Sequence, residues 1–409
     1  MKRRRYLIRL GIAFLSLLWG FGCTPSKKQE TAGLPRISFK NYLDSNDKIS
    51  IGADEMDSIE YIPLELTDDN ASLVGYIQGI ALTDEYMFIL SFEDYKVFQF
   101  DRKGKYIRTI TRQGEGPGEL QTPGLTIWTD DEQRKVYISE LENILIFSYD
   151  GTFERKISRN GRYVAYAGGK GVDWVAETYR DLFPMDYEEY FGIGAFRYNE
   201  DGSCDTLYMK KDIGNLSPLP LAETNFVMGV FFEGAGGYRY SVGCNDTFTE
   251  KGVEPYLVFD YSPRSEEEKK YYFSFHQKCH PDMIFIQCAC ETPSHIYFRF
   301  SHNETFYVMS YEKETRKILC RKTEITFQNS QDYDGCGTHP GIENEVNGAL
   351  PIWFRYFDSK RNIAVQPTSA ATIAWMKEEG AIKNIPDFLQ DYPADANPVV
   401  AIYYFKKTN

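Results

Sequence analysis

The chain has 409 residues, of which 42% are hydrophobic and 15% are aromatic, so it can bury a sizeable core in one large domain or two ordinary ones. It holds 30 Tyr and 28 Phe but only 8 Cys and 5 His, a balance that favours pleated strands and predicts an all-β fold. The formal net charge of −13 argues against nucleic acid and anionic lipid as partners, because an acidic surface repels both.

The first 22 residues have the layout of an export signal. Basic residues at Lys2–Arg5 precede an apolar run, Leu10–Phe21, that is too short to span a bilayer comfortably. A lone Cys23 follows, so the segment resembles a bacterial lipoprotein signal in which Cys23 becomes the acylated N-terminus, although Gly20 replaces the usual leucine. An ordinary signal peptide and an uncleaved anchor are the alternatives. Removal of residues 1–22 leaves 41 basic and 59 acidic side chains, a net charge of −18.

A recurring hairpin pattern dominates the rest of the chain. Each copy has an alternating apolar strand, a polar turn that usually carries Asp and Gly, and a second strand. The copies begin at Val97, Ile144, Ala195, Thr247 and Phe306, which lie 47, 51, 52 and 59 residues apart, and a final strand begins at Asn397. This spacing is about the length of one four-stranded propeller blade. Six units fit the length best, so residues 51–409 are predicted to form a six-bladed β-propeller with four-stranded antiparallel blades.

Shorter segments complete this prediction. Apolar runs that begin at Glu85, Arg134 and His295 are predicted to be inner strands facing a central channel. The segment from Asp57 is predicted to pair with the C-terminal strand and close the ring, which leaves only short edges. Residues 371–390 are predicted to form a helix interrupted at Pro386, and residues 23–50 are predicted to be a lipidated tether.

Four stretches of sequence carry a family resemblance. The stretch FDRKGKYIRTITRQGEGPGEL, residues 100–120, resembles the signature of the six-bladed β-propeller lipoproteins of Bacteroidetes, relatives of NHL-repeat propellers with a GxGPGE turn. Further matches lie at residues 59–66, 245–261 and 397–406, and Leu120 stands where that family commonly has an aromatic residue. The resemblance implies a lipid-anchored propeller in the cell envelope, at the outer membrane, facing either the periplasm or the surface.

The GxGPGE turn is the first candidate site. Its three glycines accept positive φ and its proline fixes a sharp turn, but a phosphate loop would also need a lysine and a following helix. We therefore interpret it as a turn between blades. Arg112, Glu115 and Glu119 are candidate ligand-binding residues at the channel mouth, because loops on a rigid scaffold often carry ligand contacts. The alternative is that Glu119 caps the backbone N–H groups of its own turn.

A second candidate is the aromatic segment at residues 161–194, in which Trp174 is a candidate ligand-binding residue that could stack on a sugar. Ordinary packing within a blade is the alternative. His276, Cys279, His280, Cys288, Cys290 and His295 also cluster in sequence, but they lack the paired spacing of a zinc site, and no metal ligand is predicted.

The sequence contains no G-x-S-x-G elbow and no H-E-x-x-H motif, so no catalytic residue and no cofactor are predicted. The first functional hypothesis is an exported, lipid-anchored, non-catalytic binding or scaffold protein for a glycan, a peptide or a protein partner. The alternative is a metal-assisted hydrolase or lyase, because related six-bladed propellers hold Ca²⁺ or Zn²⁺ in the channel.

Overall fold

A computed structural model describes residues 33–159, 163–181, 190–199, 203–210, 230–234, 237–241, 244–249, 252–259, 284–303, 305–326 and 341–406. Residues Pro35–Asn409 belong to one compact unit. The predicted signal peptide at residues 1–22 and the predicted lipid attachment at Cys23 lie outside the described residues.

The described part of the chain consists mostly of β-strands. In chain order these are β1 Arg36–Ile37, β2 Ser50–Ile51, β3 Met56–Pro63, β4 Ile77–Leu82, β5 Tyr86–Ser91, β6 Lys96–Asp101, β7 Tyr106–Thr111, β8 Thr126–Asp130, β9 Lys135–Ser139, β10 Asn143–Ser148, β11 Phe153–Ser158, β12 Tyr163–Lys170, β13 Trp174–Asp181, β14 Tyr190–Tyr198, β15 Cys204–Lys210, β16 Val230–Gly234, β17 Gly237–Ser241, β18 Cys244–Thr249, β19 Gly252–Phe259, β20 Phe285–Glu291, β21 His295–His302, β22 Thr305–Glu312, β23 Ile318–Thr326, β24 Glu343–Asn344, β25 Tyr356–Asp358, β26 Ile363–Thr368 and β27 Val399–Phe405. The helices are a 3₁₀ turn at Phe39–Tyr42, α1 at Ala370–Glu378 and α2 at Asp387–Gln390.

Six sheets each contain four antiparallel strands. Sheets 1, 2 and 3 are β4–β7, β8–β11 and β12–β15; sheets 4 and 5 are β16–β19 and β20–β23; sheet 6 has the order β25-β26-β27-β3. The five predicted hairpins are confirmed, since they are the third and fourth strands of sheets 1 to 5. Short parallel pairs add β1 to β19 and join β2 to β24.

The closing strand β3 joins the two ends of the folded unit. It pairs antiparallel with β27 from Pro63, opposite Val399, to Met56, opposite Phe405. This confirms the pairing predicted for the segment from Asp57. Sheet 6 therefore takes three strands from the C-terminal region and one from the N-terminal region.

The predicted inner strands occupy a different place in the sheets. The runs from Glu85, Arg134 and His295 form β5, β9 and β21, each of which is the second strand of its sheet with a neighbour on either side. The strands β4, β8 and β20 precede these runs at the sheet edge, and that the runs face a channel stays a prediction. In β4, Gln78 and Gly79 interrupt the apolar alternation that the prediction relied on. A Cβ atom on Gly79 would lie 2.9 Å from Cγ2 of Ile127, so sheets 1 and 2 approach closely there.

Part of the predicted tether belongs to the folded unit. Ile37, Phe39 and Ile49 are each at most 1% exposed, and the ring of Phe39 packs edge-on against those of Phe298 and Phe300 in sheet 5. The folded unit thus begins earlier in the chain than the sequence predicted. Two-residue strands such as β1 and β2 have too little periodicity to be recognised in a sequence.

The hydrophobic core lies between neighbouring sheets. Separate apolar clusters join sheet 6 to sheet 1, sheet 1 to sheet 2, sheet 2 to sheet 3, sheet 4 to sheet 5, and sheet 5 to sheet 6. Sheets 3 and 4 meet through β15 and β19. Sheets 1, 2, 5 and 6 are consequently apolar on both faces, which explains why strands such as β5 and β10 are almost continuous apolar runs.

The predicted helix is confirmed, although it breaks before Pro386. Ser369 caps α1 by accepting a hydrogen bond from the backbone N–H of Thr372 at 3.1 Å. The helix ends at Glu378, Glu379 is its C-cap, and Gly380 follows with a φ of +67°, the usual glycine stop. Pro386 then immediately precedes α2. None of the described helices combines the length and the apolar character needed to cross a membrane.

Asn397 is expected to be critical for stability because it ties the start of β27 to the loop before β4. Its side chain, which is fully buried, accepts from Val74 N at 2.9 Å and donates to Glu65 O at 2.7 Å and Ser72 O at 2.8 Å. The substitution Asn397→Ala leaves Val74 N and Ser72 O without their side-chain partner, while Glu65 O keeps its hydrogen bond from Ser72 Oγ. It should lower the free energy of unfolding by about 3 kcal/mol. Urea denaturation measures the loss; Gln133→Ala, which removes an exposed amide, should change it little. Equal stability of the two variants would contradict the prediction.

Candidate functional site

The GxGPGE turn connects β7 of sheet 1 to β8 of sheet 2. Glu119 Oε2 accepts from Gly116 N at 2.9 Å, and Arg112 Nε donates to Glu119 Oε1 at 3.3 Å. The Gly116 N–H and the Arg112 guanidinium hold the pKa of Glu119 below its usual value, because both stabilise the carboxylate. Glu119 therefore caps its own turn, as the alternative interpretation predicted.

The rest of the turn is shaped by packing. Gly118 has a φ of +79°, and a Cβ atom there would lie 2.7 Å from Cγ of Phe153. Leu120 is fully buried in the cluster between sheets 1 and 2. Since strand β8 rather than a helix follows, the turn lacks the helix N-terminus of a phosphate loop. Its geometry is that of a connection between two sheets.

The other predicted ligand-binding residues do not form one group. Arg112 and Glu115 are exposed beside the turn that precedes β8. Trp174 is the first residue of β13 and pairs in register with Lys170. Three residues before Trp174, the Gly171 carbonyl accepts a hydrogen bond from Trp128 Nε1 at 3.0 Å. Trp128 lies in β8, so the start of β13 is close to that strand. The GxGPGE turn and the start of β13 thus neighbour opposite ends of β8, and ligand binding by these residues stays a prediction.

Of the predicted histidine and cysteine cluster, His276, Cys279 and His280 lie outside the described residues. Cys290 is buried in the core between sheets 5 and 6, and His295 begins β21. Within the described parts of the chain, no three His, Cys, Asp or Glu side chains come close enough to share a metal ion.

A site that the sequence did not predict lies where the first strands of sheets 1, 2 and 6 begin. Arg355, just before β25, donates from Nη2 to the hydroxyl of Tyr76, just before β4, and its guanidinium carbon lies 5.0 Å from the centre of the Tyr76 ring. Gln78 Nε2 donates to Leu125 O at 3.3 Å, which brings the start of β8 to the same place. These contacts show that β4, β8 and β25 start side by side.

Phe92 extends this site outward. Its ring is 38% exposed and stands perpendicular to the Tyr76 ring, with the ring centres 6.5 Å apart. The Phe92 N–H donates to the Tyr76 carbonyl at 2.9 Å, so the two rings are held on one backbone frame. We call Tyr76, Phe92 and Arg355 the aromatic–guanidinium surface. It offers the accessible ring of Phe92 beside the Tyr76 ring and the Arg355 guanidinium.

The exposed large apolar side chains lie at the same end of the sheets as Tyr76 and Phe92. The large apolar residues of the described chain with more than a third of their surface exposed are Leu66, Leu73, Phe92, Ile385 and Phe388. All lie in segments that precede the first strand of sheet 1 or that connect the second and third strands of sheets 1 and 6. Antiparallel topology puts such segments at one end of each sheet.

At the opposite end of sheets 1, 2 and 6, ion pairs join the turns. Arg361, in the turn after β25, contacts Asp84 at 2.9 Å, Asp131 at 2.7 Å and Asp358 at 2.7 Å. Tyr149 donates its hydroxyl to Asp131 at 2.8 Å. Burial opposes ionisation of Asp131, but Tyr149 and the neighbouring cations outweigh it, so its pKa lies below the usual value. These bonds join the turns of sheets 6, 1 and 2 and leave their carboxylates already engaged.

Glu55 organises a second polar group, between the closing strand and sheet 5. Its carboxylate accepts from Thr292 Oγ1 at 3.0 Å, from Tyr297 OH at 3.1 Å and from Ser294 Oγ, and lies 3.0 Å from His295 Nδ1. Serine, histidine and glutamate meet here, but Ser294 donates to the carboxylate, and His295 presents the same nitrogen to Ser294 and Glu55. A hydrolase triad needs a histidine nitrogen that accepts the serine proton. The geometry therefore serves to attach the closing segment.

Gly118 is constrained both by its positive φ and by its contact with Phe153, and substitution should separate the two costs. Gly118→Ala adds a clash with Phe153 to the cost of positive φ and should lower the free energy of unfolding by about 2–4 kcal/mol. Gly380→Ala is the matched control, because its φ is +67° and nothing lies within 4 Å of the added Cβ. It should cost about 1 kcal/mol. Thermal or urea unfolding compares them, and equal losses would show that Phe153 imposes no constraint.

Glu55 should make stability depend on pH. Burial raises its pKa, but hydrogen bonds and the charge of His295 outweigh burial, so the folded-state pKa lies below the ordinary value of 4.5. Glu55 thus contributes stability above the unfolded pKa, and this is lost as the pH falls through the folded pKa. Glu55→Gln should lower the free energy of unfolding by about 2 kcal/mol near neutral pH. It should also make the loss of stability at acid pH less steep.

Urea denaturation over a pH series tests this prediction for Glu55. Glu115→Gln, in an exposed turn, is the control and should leave the acid limb unchanged. An acid limb in Glu55→Gln as steep as in the parent chain would assign the pH dependence to other carboxylates.

Comparisons with known proteins place this architecture in a family. A family model described as a domain of unknown function, DUF4934, matches residues 34–404. No curated protein matches the sequence.

Solved structures are similar over most of the chain. A protein from Bacteroides fragilis, described as exported, has a TM-score of 0.63 at 13% identity, covering 91% of this chain and 100% of its own. A DUF4221 family member from Bacteroides vulgatus has a TM-score of 0.44 at 9% identity, with 87% and 98% covered. The calcium-binding protein regucalcin from Agrobacterium tumefaciens has a TM-score of 0.39 at 9% identity, with 86% and 96% covered. Since the family model spans nearly the whole folded unit, the chain belongs to the DUF4934 family.

Proposed function

We propose that the six sheets are the six blades of one β-propeller, arranged in the order 1 to 6 around a channel. The apolar clusters between neighbouring sheets, the β15–β19 contact and the closing strand β3 in sheet 6 support this arrangement. The first strand of each sheet, including β4, β8 and β25, would line the channel. The aromatic–guanidinium surface would then lie at one channel mouth.

We further propose that the chain is exported and anchored in the cell envelope through Cys23, at the outer membrane. The basic start, the short apolar run and the cysteine support export and acylation. The similar Bacteroides fragilis structure is described as that of an exported protein, which agrees with this location. After signal removal the chain has a net charge of −18, and an acidic surface is repelled by anionic lipid. The lipid anchor is therefore the expected contact with the membrane.

The proposed function is non-catalytic binding of a glycan, a peptide or a protein at the aromatic–guanidinium surface. One observation carries this proposal: Tyr76, Phe92 and Arg355 gather at the same end of the sheets as the exposed apolar side chains, whereas ion pairs join the turns of sheets 1, 2 and 6 at the other end. Aromatic and arginine side chains dominate binding energy at recognition surfaces. Ring faces beside guanidinium donors suit a saccharide ring or an extended peptide, each with apolar faces and exposed acceptors.

Phe92 provides a direct test. A panel of glycans, peptides and envelope proteins is first screened for binding to the full chain, and the affinity of each hit is then measured by calorimetry. Phe92→Ala should weaken a genuine ligand by about tenfold, because it removes an exposed ring without disturbing a core. Phe388→Ala is the matched control: it removes the same side chain at similar exposure, 40% against 38%, from α2. Its affinity should equal that of the parent chain.

Two outcomes would overturn the proposal. If Phe92→Ala, like the control Phe388→Ala, keeps the affinity of the parent chain for every ligand, or if both variants lose the same affinity, recognition does not use the aromatic–guanidinium surface specifically. If the purified chain cleaves a bound glycan or peptide and a chelator abolishes the cleavage, the metal-assisted hydrolase or lyase hypothesis replaces it. Addition of Ca²⁺ or Zn²⁺ after chelation identifies the ion.

A further inference from the structure

A cavity of about 360 Å³ lies away from the aromatic–guanidinium surface, between β23, the segment around β24 and the segment after α1. Its lining includes Arg321, Glu343, Gly348, Gly380, Ala381 and Lys383. No lining residue belongs to the aromatic–guanidinium surface. The volume is within the usual range for small-molecule sites.

Arg321 is the unusual member of this lining. Its Nη2 donates to Gly341 O at 2.6 Å, while its Nε is buried without a hydrogen-bond partner. Among the described residues, no carboxylate forms an ion pair with Arg321, and burial alone lowers the pKa of its guanidinium. A guanidinium stays protonated at such a site. Because desolvation of a charge is costly unless it is paired, an anion in the cavity would offset that cost.

The remaining charges do not neutralise Arg321. Glu343 carries the negative charge of the lining, but Lys383 contacts one of its carboxylate oxygens and Lys48 lies 3.7 Å from the other. Glu345 also pairs with Lys48. Arg321 and Lys383 therefore leave the lining with an excess of positive charge, although the whole chain is acidic.

The backbone around the cavity leaves room for a ligand. A Cβ atom on Gly380 would meet no heavy atom within 4 Å, and Ala381 beside it has the smallest side chain that keeps a Cβ. Because Gly380 has no side chain and Ala381 has a small one, the segment after α1 leaves its side of the cavity unfilled. Arg321 is held on a sheet strand, opposite Val308 of β22. Arg321 therefore lines the cavity from a sheet strand, and Gly380 and Ala381 line it from the segment after α1.

We propose that this cavity binds a small organic anion, with Arg321 as the principal donor to its carboxylate or phosphate group and Lys383 as a second cation at the rim. The planar guanidinium fork suits both oxyanions. This site is independent of the proposed function, because it shares no residue with the aromatic–guanidinium surface.

The test measures the thermal unfolding midpoint of the full chain with two probes, glucuronate and inorganic phosphate. Sodium chloride at matched ionic strength controls for salt, and glucose is the uncharged counterpart of glucuronate. Glucuronate or phosphate should raise the unfolding midpoint, whereas sodium chloride and glucose should not. A response to glucuronate alone identifies a carboxylate ligand, and a response to phosphate alone identifies a phosphate ligand. If neither exceeds sodium chloride, the proposal is wrong.

Variants then localise the binding. Arg321→Gln should weaken the responding probe by about tenfold or more, since it removes a charge-assisted hydrogen bond. Arg316→Gln, which removes the same charge from the exposed β22–β23 turn, is the control and should bind normally. If Arg321→Gln does not fold, two other variants test the site: Lys383→Met removes the cation at the rim, and Ala381→Leu fills the cavity. Both should weaken binding of the responding probe. Unchanged affinity in the folded variants would place the anion elsewhere and overturn the proposal.

Discussion

The pairing of β3 with β27 is the constraint on which the rest of the structure depends. It joins residues separated by more than 300 positions, and it supplies sheet 6 with its outer strand. Without β3, β27 would expose a row of unpaired backbone groups, and the apolar cluster between sheets 6 and 1 would lose Ile62. The alignment of β25 with β4, and so the contact of Arg355 with Tyr76, depends on the same closure.

The polar groups reinforce this closure at both ends of the sheets. Asn397 attaches the start of β27 to the loop before β4, while Arg361 joins the turns of sheets 6, 1 and 2 at the other end. Glu55 attaches the start of β3 to sheet 5. Each is a buried or half-buried group with several partners, so its hydrogen bonds fix the register of neighbouring sheets in a way that apolar contacts alone do not. The surface around Phe92 is left open by comparison.

Local chemistry explains which features could be predicted from the sequence. The hairpin at Val97 is evident because apolar alternation and the Asp101–Gly104 turn are both local signals. The edge strand β4 was missed because Gln78 and Gly79 break that alternation, and the contribution of Ile37 was missed because β1 is too short to show a period. Glu119 was correctly interpreted as a cap because its partner Gly116 is three residues away. Arg355 and Tyr76 are 279 positions apart, so no spacing rule links them.

The sheet order also has a consequence for how the chain acquires its fold. Since β3 is synthesised more than 300 residues before β27, β3 is an open edge strand until β27 has emerged. A topology with such distant pairing folds slowly, and the waiting edge is a template for pairing with another chain. The exposed Asp57, Ser58 and Glu60 of β3 limit that risk during biogenesis. A chain truncated before Val399 would keep this edge permanently, so late truncations should lead to aggregation rather than to a smaller stable domain.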